Sequence, residues 1–198
     1  MHSDPSSQSA TDVTSVTAVG RPVIHGSFTI ERELPAPPAR VYAAYADPAE
    51  RRRWFRIPST PERARHELDF RVSGHELASG VFAPAGEEEH LEYRSAFCDI
   101  VPGERLVFSY AVTVNGLRRW ASLVTVELLA RGAGTLLRHT EQYAFLAYTD
   151  DGRHDTAHLK GGTGLQLNAL LAVLSTPVLP ERPRLTEDGA QAPSFRAG

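Results

Sequence analysis

The chain has 198 residues, 41% of them hydrophobic, which suffices to bury one core without disulfides or a structural metal. Its formal charge of -3 supplies no broad attraction for phosphate backbones or anionic membranes, which excludes nucleic-acid and membrane-surface partners on composition. The single cysteine, Cys98, excludes an internal disulfide and a thiolate cluster for metal, so a reducing compartment, the cytoplasm, is expected.

Residues 1–22 are dominated by Ser, Thr, Ala and Asp and read as a flexible tail, because they hold too little apolar surface to offset the entropy of ordering. This segment has neither the apolar run of a secretory signal nor the basic charge of a transit peptide. Phe28, Ile30 and Leu34 then alternate as in a strand with one buried face, ended by Pro35. Pro37 and Pro38 open a short helix carrying Val41, Tyr42 and Tyr45, and Asp47-Pro48 breaks it and caps a second that runs through Arg51, Arg52 and Arg53 to Trp54-Phe55.

From His66 to Phe145 the period is two, with turns at Ser73-Gly74, Pro84-Ala85-Gly86, Pro102-Gly103, Asn115-Gly116 and Gly132-Ala133-Gly134. This predicts an antiparallel meander in sequence order. One set of side chains on its strands would share a face: Leu106, Phe108, Tyr110 and Val112; then Trp120, Ser122, Val124, Val126 and Leu128; then Leu137, His139, Glu141 and Tyr143. A helix follows over Thr156 to Ser175, with Thr163, Leu167, Leu170, Leu171 and Leu174 on the face that must cover the sheet, and Pro177 just beyond its end. Residues 180–198 lack an apolar period and read as a second flexible tail, which leaves 23–179 as one folded domain. No stretch is long enough to span a membrane.

The order strand, two short helices, long meander and final amphipathic helix resembles the helix-grip arrangement of the START-like (SRPBCC) superfamily. Four motifs narrow the branch: Glu31-Arg32-Glu33-Leu34-Pro35-Ala36-Pro37 at the start; Asp47-Pro48 with Trp54; Asp99-Ile100-Val101-Pro102-Gly103-Glu104-Arg105-Leu106-Val107-Phe108; and Val124-Thr125-Val126-Glu127-Leu128 followed by Gly134-Thr135 and Leu137. Together they are similar to the activators of heat-shock protein 90 ATPase. The resemblance covers about Ser27 to Leu174 and departs where many relatives carry Gly-Trp, since this chain has Gly162-Thr163. It implies an α+β fold, a curved sheet wrapped around the last helix with an apolar pocket between them, in a superfamily of ligand carriers, cyclases, stress proteins and a co-chaperone domain.

Residues two apart on a strand face the same way, so His139 and Glu141 are expected to line that pocket, with Tyr110 or Tyr143 supplying a hydroxyl. Such a pair orients a polar ligand group, works as general base and acid, or forms a structural ion pair. Trp54, Phe82, Tyr93, Phe108 and Trp120 read as core or cavity wall, with Thr163 and Leu167 on the covering helix. Cys98 has no activating base and reads as a buried small hydrophobe. His154 and His158 stand four apart as in helix-borne zinc sites, but no third ligand accompanies them, so they read as a polar helix start capped by Asp155, with His154 in the preceding loop. Gly161, Gly162 and Gly164 leave room for a ligand or mark a frayed helix that starts near Leu165. Arg51, Arg52, Arg53 and Arg56 form a solvated face or a clamp for an acidic partner.

The expectation is therefore a monomer or homodimer that holds a small, mostly hydrophobic molecule without cofactor or metal. The alternatives are a chaperone-interaction module on the arginine surface and a cyclase- or hydrolase-type enzyme using His139 and Glu141, with Tyr110 as a third candidate.

Overall fold

The computed structural model describes residues 20–83 and 86–176. Most of the two expected tails, Pro177 and the turn residues Pro84 and Ala85 lie outside the described residues. Of the first tail, Arg21 is described: its guanidinium lies 4.3 Å from the Tyr148 ring centroid, and Tyr148 donates its hydroxyl to the Pro22 carbonyl at 2.8 Å.

Strand β1 (Ile24–Leu34) leads into α1 (Pro38–Ala46) and α2 (Pro48–Trp54). As the prolines and Asp47 predict, Pro38 opens α1 and the Asp47 carboxylate accepts from the Ala49 and Glu50 amides at 2.7 and 3.0 Å. The meander consists of β2 (Arg65–Leu68), β3 (His75–Phe82), β4 (Glu89–Val101), β5 (Arg105–Val114), β6 (Leu117–Arg131) and β7 (Gly134–Phe145). Asn115 and Gly116, with φ of 50° and 79°, make the tight β5–β6 turn that a two-residue hairpin with right-handed twist requires.

The sheet keeps sequence order from β2 to β7, but β1 closes beside β7 rather than beside β2. The cause is register. From Ile24 opposite Phe145 to Leu34 opposite Thr135, the inward residues of β1 meet inward residues of β7, including Phe28 opposite Glu141 and Ile30 opposite His139. Helices α1 and α2 then carry the chain from β1 to the other end of the sheet, where Val41, Ala44 and Trp54 enter the core.

Helix α3 (Arg153–Ser175) crosses the concave face and seats Leu167 and Leu170 in the core with Val124, Val126 and Leu137. Two expectations change here. The helix starts at Arg153, so His154 is helical, and Gly152 (φ 77°), not Asp155, occupies the N-cap. Asp155 is drawn elsewhere: it receives the Arg119 guanidinium at 2.7 Å and the Thr149 amide at 2.9 Å. The helix also runs unbroken through Gly161, Gly162 and Gly164, because Leu159 on one side and Leu167 on the other pin the glycine turn at both ends.

Cys98 corrects a third reading, since it is exposed. Phe97 pairs with Phe108 and Asp99 with Val107, which leaves Cys98 as the extra residue of a β-bulge turned out of the core.

Candidate functional site

Between the concave sheet, the end of α2 and α3 lies a cavity of about 380 Å³. Its sheet wall carries Tyr93, Phe108, Tyr110, Trp120, His139 and Glu141, and its helix walls carry Trp54, Thr163 and Leu167. These nine of the eleven proposed binding residues therefore come together around one space. Exposed Arg56, His158 and Leu165 mark where that space reaches solvent.

The other two stand apart. Phe82 ends β3 with 41% exposure, beyond the edge of the cavity. Tyr143 is directed over Gly26, where a Cβ would meet its hydroxyl oxygen, and it packs with Phe28 and Phe145 while its hydroxyl lies 3.4 Å from that of Thr156. Tyr143 is two residues past Glu141, and the missing side chain at Gly26 lets its ring fold across β1.

The polar end of the cavity is a chain of four groups. Trp120 donates its indole N–H to the Tyr110 oxygen at 3.2 Å, and Tyr110 donates its hydroxyl to Oε1 of Glu141 at 2.5 Å. The His139 ring nitrogen Nε2 lies 3.3 Å from Oε2 of Glu141, and Phe28 stacks on the outer side of His139. Burial first, and then the Glu141 carboxylate, push the Tyr110 phenol well above its ordinary pKa, so Tyr110 remains a donor through neutral pH. Tyr93 stacks on Tyr110 with centroids 5.0 Å apart, which fixes the phenol ring against the wall.

A second polar network supports the opposite wall. Arg51 reaches Glu76 through two hydrogen bonds of 2.7 Å, and His66 meets the same carboxylate at 2.8 Å. The Arg51 guanidinium lies 4.2 Å from both the Trp54 and Phe55 rings. Arg51 is consequently buried, which removes it from the surface clamp that the arginine run suggested, whereas Arg52, Arg53 and Arg56 are exposed. Helix geometry separates them: in the last turn of α2 the position of Arg51 faces the core, and its neighbours Arg52 and Arg53 face water.

Sequence reasoning passed over Glu76 and His66 as partners of Arg51 and Leu159 in the cavity wall; it named Gly162 as possible ligand space and put Val112 and Val124 on the inward face, but left the two valines, Tyr45 and Phe55 out of the binding set. For Val112 and Val124 the inward register of the strands was the available signal. For Glu76 there was none, because its partner lies 25 positions away in the chain. His154 and His158 are exposed with ring centroids 6.4 Å apart, and among the described residues no group of three possible ligands could hold a metal. Among the described residues no helix is long and apolar enough to cross a membrane.

With this geometry, the sequence matches the family described as "Activator of Hsp90 ATPase homolog 1-like protein" over residues 35–175. Among solved structures, the Mll3558 protein from Rhizobium loti is 40% identical, with 77% of this chain and 99% of that one covered and a TM-score of 0.65. A protein from Rhizobium leguminosarum is 33% identical over 77% of this chain and 96% of that one, with a TM-score of 0.66. CalU16 from Micromonospora echinospora, at 20% identity and a TM-score of 0.51 over 78% of this chain and 87% of that one, shares the fold. None of the curated proteins matches the sequence.

Proposed function

This chain belongs to the Activator of Hsp90 ATPase homolog 1-like family, and from that premise we propose that it binds a small, mostly apolar molecule in the cavity between sheet and α3. The carrying observation is the cavity itself: about 380 Å³ lined by Trp54, Tyr93, Phe108 and Trp120, with polar groups confined to a few positions. Ligand sites have this composition, an apolar wall for affinity and a small number of placed polar groups for orientation. A domain of this size has no packing reason to leave such a space empty, since interiors otherwise fill to crystal-like density.

Native mass spectrometry of the protein purified from its own host tests the reading. A co-purifying small molecule is expected. It should disappear in Thr163→Trp, because Thr163 is half-buried on the cavity wall and an indole there occupies the space, at the loss of the hydroxyl's bond to the Leu159 carbonyl. A mass retained in a folded Thr163→Trp protein would place the ligand outside the cavity and defeat the proposal.

Acid–base turnover by His139 and Glu141 is the second reading, favoured by their 3.3 Å approach inside an apolar wall. Recovery of a chemically altered molecule after incubation separates it from simple carriage. Docking of a chaperone on the arginine face would rest on Arg52, Arg53 and Arg56 and would leave the cavity unused.

A further inference from the structure

Glu141 alone among the described carboxyl groups lines the cavity, and it is 1% exposed. Its two oxygens are unequally served. Oε1 accepts the Tyr110 hydroxyl at 2.5 Å. Around Oε2 the nearest donors are His139 Nε2 at 3.3 Å and Thr163 Oγ1 at 3.4 Å. Both exceed the roughly 2.7–2.9 Å of a charge-assisted hydrogen bond. Thr163 has a single hydroxyl hydrogen, and the Leu159 carbonyl at 3.1 Å takes it along the helix. Oε2 thus stands on the cavity wall with two long contacts only, and keeps acceptor capacity for a closer donor.

The rest of the wall narrows the partner. Of the two arginines on the wall, Arg51 holds Glu76 through two 2.7 Å bonds and Arg56 stands exposed at the mouth, so an anion carried to the polar end would meet Glu141 with no arginine beside it. Beside Glu141 stand the stacked Tyr93 and Tyr110 rings and the Trp120 indole, flat surfaces suited to a ring. We propose that the ligand of this cavity is a neutral, ring-bearing apolar molecule with a hydroxyl group that donates to Oε2 of Glu141. This inference rests on the binding reading above and specifies its substrate class.

Isothermal titration of the full chain with 2-naphthol, 2-methoxynaphthalene and naphthalene tests it. The three share a ring system, and only the first donates. Expected is binding of 2-naphthol at least about tenfold tighter than 2-methoxynaphthalene, the range of a hydrogen bond to a charged acceptor. In Glu141→Gln, which places an amide donor at the same site, the preference should vanish or reverse while naphthalene still binds. Tyr110→Phe frees Oε1 as a second acceptor and should maintain or enlarge the preference, so the inference stays testable even if Glu141→Gln fails to fold. Equal binding of the naphthol and its methyl ether, with naphthalene bound, overturns the donor assignment and leaves the cavity reading intact. A tenfold preference that persists in folded Glu141→Gln also overturns it. Binding of none of the three defeats both readings.

Discussion

Glu76 has almost no exposure and still carries charge, because Arg51 and His66 converge on it. Burial alone would raise its pKa, but the Arg51 guanidinium outweighs burial and holds the carboxyl down, from an ordinary 4.5 to about 2. A carboxylate depressed on folding stabilises the protein above its unfolded pKa, and that contribution is lost as pH falls from about 4.5 towards 2. Glu76→Gln leaves Arg51 buried and uncompensated, so a loss of about 3 kcal/mol at neutral pH is expected. Urea unfolding of both proteins across the acid range checks the sign: the gap should stay constant above about pH 4.5 and close towards pH 2. Neither Arg51 nor Glu76 was legible as a pair. Each residue type at its position looked like surface, and only the fold brings a helix arginine to a strand glutamate.

Helix α3 contains three glycines within one turn, each costing about 1 kcal/mol relative to alanine. Close packing does not require them: a Cβ at Gly161 or Gly162 would meet no atom within 4 Å. The two differ in what they face, since Gly161 is exposed and Gly162 lies on the cavity wall. Gly161→Ala and Gly162→Ala should each stabilise the fold by about 1 kcal/mol in thermal or urea unfolding. Ligand affinity should fall only for Gly162→Ala, whose methyl group projects into the bound molecule's space. Equal affinities would mean that the glycine turn plays no part in binding. The helix period, its leucine face and its span across the glycines to Ser175 were readable from the sequence, whereas fraying at the glycines stayed open, because propensity argues against continuity there and tertiary anchoring by Leu159 and Leu167 decides it.

At the scale of the whole molecule, a long-range tie joins the start of α3 to the sheet. Val112 pairs with Trp120 and Thr113 with Arg118, which makes Arg119 the extra residue of a bulge in β6. Turned by that bulge, Arg119 donates to the Ala147 carbonyl at 3.1 Å and to Asp155 on α3 at 2.7 Å, fastening the first turn of the helix to the sheet end. Arg119→Ala leaves Asp155 with only the Thr149 amide, and a loss of about 2 kcal/mol is expected together with faster hydrogen exchange confined to the start of α3. Uniform exchange across the domain would show that the tie acts on global stability alone. Alternation along β5, β6 and β7 and the 3.6-residue leucine pattern of α3 determined by themselves which side chains face inward, because both periods are local properties of the backbone. That His139, Glu141 and Tyr110 face one side was legible for the same reason. Whether an inward residue meets the cavity, the solid core or another ring was decided only by the tertiary structure: strand pairing, bulges and twist set distances between residues far apart in the chain. Tyr143 folding over Gly26, Phe82 left at an edge and Cys98 turned outward are three such decisions.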